Sequence, residues 1–294
     1  MRVAVTGAGG FAGSHIARHL KSAGMDVTAV VRSVRADTPL SVAHVDVQQA
    51  DLTSGISFSA PINALVHCAA EIPARCPDPN QLYAANVDAT RNVLSAALDA
   101  GATHIIFCSS MSAFGTITAD LVTPQTPVSD PDSYGRSKLA GETMLDEMVA
   151  ARPEIGSVSL RLPGIVGPGS HDNFLSAAAG RMLAGDQINA RNPDAPFNNI
   201  LPVASLARFV EHLITHTLLG HTRLTLAAQN PAPIRQILAE IQAGAGTDVP
   251  VAFGSGGHSF LVSSKDACKF GYQPPDACQA ARQFGQDCRD FKDL

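Results

Sequence analysis

The run Gly7-Ala8-Gly9-Gly10-Phe11-Ala12-Gly13 constrains this chain more than any other stretch. It follows Arg2-Val3-Ala4-Val5-Thr6, a short apolar run suited to a strand, and precedes residues 14–23, where Ile16, Ala17 and Leu20 recur at helical spacing. The order is therefore strand, glycine-rich turn, helix. In that context Gly7 allows a tight turn, Gly10 lets the backbone approach a pyrophosphate, and Gly13 lets the helix pack closely on the strand. Phe11 and Ala12 open the helix, where backbone amides and the positive end of the dipole face phosphates. The glycines are evenly spaced as GxxGxxG, and Gly9 also permits a GxG reading. A plain structural turn is the alternative, but the flanking strand and helix favour dinucleotide binding.

The rest of the chain continues the alternation. Strand-like runs at 26–32, 43–47, 62–68, 103–109 and 157–162 are interleaved with helical stretches at 81–100, 134–151 and 174–184. Such a pattern builds βαβ units and a parallel sheet with helices on both faces. Beyond residue 164 the pieces are punctuated by Pro and Gly, with helical spacing at 203–219 and 234–242. The expected fold class is α/β, a doubly wound parallel sheet. Residues 1–163 form the dinucleotide-binding domain, and 164–294 mainly a smaller substrate-binding lobe with some segments returning to the core. The 294 residues are 45% hydrophobic with a mean hydropathy of +0.09, enough for a substantial core.

Composition also narrows the partners. The net charge is −5 and the basic residues are scattered, which argues against a nucleic-acid or membrane surface. No apolar run approaches the roughly 20 residues of a membrane span, and no basic leader precedes the first strand, so a cytoplasmic protein is expected. The six cysteines show no CxxC pairing, and Cys68 and Cys108 fall in apolar runs where a thiol behaves as a small hydrophobe. His15/His19 and His212/His216 are i,i+4 pairs, but neither carries the glutamate of HExxH or a third ligand. No metal is expected.

Two further patterns bear on chemistry. Tyr134 and Lys138, in Ser133-Tyr134-Gly135-Arg136-Ser137-Lys138, share one helix face with Cβ atoms roughly 6 Å apart. An ammonium there stabilises a phenolate, as an acid-base catalyst requires. Cofactor choice is read at the end of the second strand. An acid roughly 20 positions past the glycines binds the 2′-hydroxyl of NAD, whereas an arginine accommodates the 2′-phosphate of NADP. Arg32 stands 19 residues after Gly13, with Arg35 nearby and no carboxylate at that strand end. NADP(H) is the favoured cofactor and NAD(H) the other candidate; a solvated strand-end charge is the plainer reading of Arg32.

The motifs resemble the extended short-chain dehydrogenase/reductases, the NAD-dependent epimerase/dehydratase family. The resemblance rests on Thr6 to Gly13, Asp51-Leu52, Val66-His67-Cys68-Ala69-Ala70, Asn86 to Val93, Cys108 to Gly115, Tyr134 to Lys138, Arg161 to Gly169, and Phe270-Gly271-Tyr272-Gln273-Pro274. It implies a Rossmann-type sheet and a catalytic trio. Ser110, five residues before Gly115, takes the position of the family's serine and polarises the substrate oxygen, with Ser109 as its rival. Tyr134 moves the proton at that oxygen, and Lys138 holds the nicotinamide ribose. The resemblance adds Asp51, Leu52, Ala69, Ala70, Asn86 and Pro163 as cofactor contacts, and Ser112, Tyr134, Asn173 and Asn199 as substrate contacts. Helix capping explains Asn86 nearly as well. Asn198 and Arg208 are further polar residues of the lobe.

The chain also departs from the family. Gly164 stands where nucleotide-sugar members carry an asparagine, and Val203-Ala204-Ser205-Leu206-Ala207 lacks their aspartate. The usual glutamate is missing from Val122-Thr123-Pro124-Gln125-Thr126-Pro127. The implied function is an NAD(P)-dependent oxidoreductase or epimerase of a nucleotide-activated sugar, by 4-keto reduction or epimerisation. A dehydratase is disfavoured because Ser112-Ala113 offers no Asp-Glu pair. The alternatives are an NADPH-dependent reductase of a small ketone or aldehyde, resembling the dihydroflavonol reductases, and a cofactor-sensing regulator. The family also implies a homodimer through the helices at 81–100 and 134–151.

Overall fold

A computed structural model describes residues 1–34 and 45–292. In chain order its first half comprises β1 (Arg2–Thr6), α1 (Phe11–Ser22), β2 (Asp26–Val31), β3 (Asp46–Gln49), β4 (Ala64–His67), α2 (Pro79–Asp99), β5 (His104–Ser110), a 3-10 turn at Met111–Phe114, β6 (Leu121–Val122), α3 (Ser133–Ala151) and β7 (Gly156–Leu162). The remainder comprises β8 (Ile165–Val166), α4 (Phe174–Ala184), β9 (Ile188–Arg191), β10 (Pro196–Phe197), β11 (Leu201–Pro202), α5 (Val203–Thr215), β12 (Gly220–Thr225), β13 (Ala232–Pro233), α6 (Ile234–Ala245), β14 (Val251–Gly254), β15 (Leu261–Val262), α7 (Lys265–Lys269) and α8 (Ala277–Lys292). The chain divides into two compact units. One is Met1–Thr116, Val128–Arg161 and Leu206–Leu224; the other is Ile117–Pro127, Leu162–Ser205 and Thr225–Leu294.

The first unit is built on a seven-stranded sheet in the order β12-β7-β5-β4-β1-β2-β3. From β5 through β4, β1 and β2 to β3 the strands run parallel. The chain winds one way from β1 to β3 and the other way from β4 outwards, so the order reverses between β1 and β4. In such sheets ligands bind outside the carboxyl ends of the strands at that reversal. A parallel sheet covered on both faces needs continuous apolar strands. β4 and β7 accordingly have every residue buried. Ala4, Leu65, Ile105, Phe107 and Leu145 join Val93, Leu94 and Ala97 of α2 in one core cluster. Local chemistry sets the helix starts: Asp78 accepts from the amides of Asn80 and Gln81 ahead of α2, and Asp132 from Gly135 ahead of α3.

The second unit pairs short strands (β8 with β11, β10 with β13, β9 with β14, β6 with β15) around an apolar cluster of Leu175, Met182, Ile237, Leu238, Ile241, Ala281 and Phe284. α6 and α8 lie backbone against backbone. A Cβ on Gly244 would come within 2.0 Å of the Arg282 carbonyl oxygen, and one on Gly285 within 2.1 Å of that of Ile241. Asn198 is buried here, bonded to the backbone of Ala228 and Val262.

Some elements differ from the sequence reading. The strand expected at 43–47 is β3, Asp46–Gln49; residues 43 and 44, like Arg35, lie outside the described residues. The helix expected over 203–219 ends at Thr215, and the following β12 returns to the sheet as a seventh strand. α8 has no counterpart in the sequence reading, because its buried face uses small residues, Ala277, Ala280 and Ala281, besides Phe284. No helix among the described residues is long and apolar enough to cross a membrane.

Candidate active site

The glycine turn leaves a cradle in which Gly7 and Gly13 face backbone. Gly7 has φ +68°, and a Cβ there would stand 2.6 Å from the amide nitrogen of Ala69. One on Gly13 would stand 2.3 Å from the carbonyl oxygen of Gly7, so α1 can approach β1 only with glycine at that position. Gly10 is the helix cap, in extended conformation, and no side chain caps α1. Gly9 and Gly10 are exposed. An uncapped helix start beside exposed glycines, at the strand-order reversal, fits the pyrophosphate of a dinucleotide.

At the end of β5 the two serines diverge, because successive strand residues point to opposite faces. Ser109 is buried and donates to Glu142 Oε1 at 2.7 Å, whereas Ser110 is half-buried and accepts from the amide of Ser112 at 3.1 Å. The start of α3 is pressed onto the neighbouring 3-10 turn. A Cβ on Gly135 would come within 2.1 Å of the Ser112 carbonyl oxygen, so glycine there is what brings Tyr134 beside the strand end. Lys138 is 3% exposed; its Nζ donates to the carbonyl of Cys108 at 2.8 Å and stands 5.0 Å and 5.5 Å from the ring centroids of Phe107 and Tyr134. A carbonyl and two ring faces are what a buried ammonium needs in place of water. Ser110, Ser112, Tyr134 and Lys138 are thereby gathered at the end of β5.

A buried polar relay connects the glycine turn with this cluster. The amide of Ala69 donates to Thr6 Oγ1, which lies 2.6 Å from His67 Nδ1. His67 Nε2 lies 3.1 Å from Thr90 Oγ1, which gives its own proton to the carbonyl of Asn86 at 2.8 Å. Thr90 must therefore accept from Nε2–H, and Thr6 donates to Nδ1. His67 is neutral: burial, and then the charge of Lys138, lower its pKa to about 3. Asn86 continues the relay to Ser137 Oγ at 3.1 Å, and Ser137 donates to the carbonyl of Tyr134 at 2.7 Å. The Asn86 carboxamide also clamps the backbone amide and carbonyl of Glu71. Asn86 is thus no helix cap; Asp78 has that role.

The acids and amides named from sequence separate by place. Asp51 is exposed and binds the amide and hydroxyl of Thr53, while Leu52 packs against the core beneath. Ala69 and Ala70 follow β4, partly buried. Arg32 is exposed but ion-paired with Glu71, so a carboxylate reaches the end of β2 from the loop after β4. Within the second unit, Gly164 lies beside Asn173 and Asn199, since a Cβ there would be 3.6 Å from Asn173 Cγ and from the Asn199 carbonyl. Asn173 caps α4 by accepting from Ser176 and donates to the carbonyl of Ile165. It borders a depression of about 560 Å³ with Ser170, His171 and Phe174. Asn199 Oδ1 is buried and has no partner among the described residues. Pro163 adjoins Gly164 in the chain and is half-buried. The histidine pairs are engaged elsewhere: His19 with Glu211 at 2.6 Å, and His212 stacked on His216 with centroids 3.7 Å apart.

Thr6, His67, Thr90, Ser137 and Glu71 were not among the residues singled out by sequence. The available signal was a polar residue closing each of two apolar strands, Thr6 on β1 and His67 on β4. Also missed was the buried Glu142, which binds Ser109, Arg161 and Arg223.

Residues 3–217 match the model of the NAD dependent epimerase/dehydratase family. A UDP-glucose 4-epimerase of Azospirillum brasilense is 30% identical over 173 residues, 56% of this chain and 49% of that protein. The chain thus spans about half the length of that relative. Among solved structures, the UDP-Glc/GlcNAc 4-epimerase of Campylobacter jejuni has a TM-score of 0.83 at 16% identity, covering 99% of each chain. The UDP-glucose 4-epimerase of Bifidobacterium longum, in complex with NAD+ and UDP, has a TM-score of 0.81 at 20% identity, covering 100% of this chain and 98% of that one. At such identities the likeness shows the fold.

Proposed function

The chain belongs to the NAD-dependent epimerase/dehydratase family, and from that premise we propose that it is a 4-epimerase of a nucleotide-activated sugar with NAD(H) as its cofactor. The observation that carries this reading is Lys138, buried against the Cys108 carbonyl and 5.5 Å from the Tyr134 ring, beside the half-buried hydroxyl of Ser110. Ser110 binds the sugar oxygen at the reacting carbon. Tyr134 takes the proton from that oxygen and returns it. Lys138 stabilises the phenolate that Tyr134 is before it takes the proton and again after it returns it, and His67, neutral and locked in one tautomer, adds no second positive charge behind it. The bond of Ser109 to Glu142 supports Ser110 over Ser109 in this role.

Gly7, Gly10 and Gly13, with the amides of Phe11 and Ala12, hold the pyrophosphate; Asp51, Leu52, Ala69, Ala70, Asn86 and Pro163 complete the cofactor contacts. Bound there, a nicotinamide dinucleotide supplies the hydride acceptor and donor. Arg32 alone suggested NADP(H); its pairing with Glu71, and the NAD+ bound by the Bifidobacterium longum enzyme, support NAD(H) instead. Ser112, Asn173 and Asn199 contact the substrate. Gly164, standing where nucleotide-sugar members carry an asparagine, favours a second reading, a reductase of a smaller carbonyl compound.

Incubation with UDP-glucose or UDP-galactose, followed by chromatography and nicotinamide absorbance, separates the two. An epimerase interconverts the sugars with no net change in absorbance, whereas a reductase consumes reduced cofactor stoichiometrically. Tyr134→Phe should lower turnover by a factor on the order of 100 or more while nucleotide binding persists. Wild-type turnover in that variant would overturn the role given to Tyr134.

A further inference from the structure

Arg32 follows β2 directly, and the side chain of Val31 touches the glycine turn: a Cβ on Gly9 would be 3.6 Å from Val31 Cγ1. The guanidinium at this point already has a carboxylate partner. It donates through Nη1 to Oε1 of Glu71, a residue 39 positions away that arrives from the loop after β4. That loop is fixed, because the buried Asn86 accepts from the Glu71 amide at 2.7 Å and donates to its carbonyl at 3.0 Å. The hydrogen bonds of Thr53, and then the charge of Arg32, hold the Asp51 carboxyl below the usual carboxylate range. One positive and one negative group therefore meet at the end of β2.

We propose that Glu71 sets the choice between the two nicotinamide dinucleotides, occupying Arg32 and holding a carboxylate beside the ribose position so that a 2′-hydroxyl is accepted and a 2′-phosphate is refused. This rests on the glycine turn being the dinucleotide site. Breaking the pair is not the obstacle, since the Arg32 side chain is 69% exposed and such pairs are weak. The obstacle is what the break leaves behind. A 2′-phosphate carries close to two negative charges and would draw Arg32 away, leaving the carboxylate of Glu71, whose backbone Asn86 holds in place, as its unpaired neighbour. Like charges about 5 Å apart at a protein surface weaken binding on the order of tenfold, and salt screens the effect. The discriminating acid is thus supplied by the loop after β4 rather than by the end of β2, where dinucleotide sites of this fold place it.

The test is equilibrium competition. Purified protein is equilibrated with equal NAD+ and NADP+, freed of unbound nucleotide by gel filtration, and the retained nucleotides are released with acid and quantified. Wild type should retain NAD+ over NADP+ by tenfold or more. Glu71→Gln should narrow that ratio about tenfold, chiefly by gaining NADP+, and less so at high salt. Glu71→Gln combined with Arg32→Ala should lose the gain, since no guanidinium remains to bind the phosphate. An unchanged ratio in Glu71→Gln, or a wild type that prefers NADP+, overturns the proposal while leaving the dinucleotide site standing. If folded wild type, checked by circular dichroism, retains neither nucleotide, the reading of the glycine turn falls and this proposal with it.

Discussion

Ser109 and Ser110 are adjacent in sequence, yet they belong to different environments. Strand alternation sends Ser109 into the core, where its hydroxyl completes the shell around the buried Glu142, and leaves Ser110 half-buried at the end of β5. The two truncations should therefore fail differently. Ser110→Ala should lower turnover by one to two orders of magnitude with little change in melting temperature, because it removes a hydroxyl that polarises the substrate oxygen. Ser109→Ala should leave turnover within a few-fold but cost on the order of 1 kcal/mol or more, because a buried carboxylate loses a donor. Thermal melts and steady-state kinetics on both variants decide this, and equal losses of turnover would refute the division of roles. The spacing to Gly115 already favoured Ser110, but the reason Ser109 is unsuitable lies in Glu142, 33 residues further on, a partnership that local spacing cannot reveal.

Among the elements, α3 carries the most function. Its start is fixed by the Asp132 cap, its first turn lies on the 3-10 turn through Gly135, and its middle is held by Glu142, whose carboxylate binds Arg161 at 2.7 Å and Arg223 at 2.8 Å. Gly135 falls among the unspecified positions of the YxxxK pattern, yet the structure gives it a defined task. Gly135→Ala would drive a methyl group into the Ser112 carbonyl, and relief requires the helix start to lift away from the end of β5. Turnover should fall at least tenfold with a loss of stability of a few kcal/mol, as overpacking does. Kinetics and urea unfolding test this, and a fully active variant would mean that the contact yields without moving Tyr134. Elements with strong periodicity or turn chemistry were legible in advance: β1 with its glycine turn, α1, α4 beginning at Phe174, and most strands of the sheet. α8 was not, because alanines give little hydrophobic contrast. Nor was β12, whose place as the seventh strand depends on Arg223 reaching Glu142 and Asp146 across the sequence. Within the candidate site the glycines and the Tyr-Lys pair were legible from spacing. The relay from Thr6 through His67 and Thr90 to Asn86 was not, since it joins three separate elements.

For the molecule as a whole, two neutral histidines, one buried and one half-buried, tie stability to pH. Burial and then the charge of Lys138 hold His67 at about 3, while burial and then the charge of Arg223 hold His221, between Ser157 and Ser159, at about 4. The unfolded chain takes up both protons near pH 6.5, whereas the folded one does not. As pH falls below 6.5 the unfolded state therefore binds more protons, and stability drops until the folded values are reached. Glu142 acts lower in the scale: burial works against its charge, but Arg161, Ser109 and Arg223 outweigh it and leave its pKa lowered. Its contribution is present above the ordinary glutamate range and is lost on further acidification. The interval from pH 6.5 to 5 thus belongs mainly to the two histidines, and together they should remove a few kcal/mol between pH 7 and 5. Urea unfolding across that range measures the slope. In His67→Gln, which keeps a donor and an acceptor without a titrating ring, the slope should fall to about half, the remainder being that of His221. A free energy of unfolding that stays level from pH 7 to 5 in the wild type would show that neither ring is held neutral.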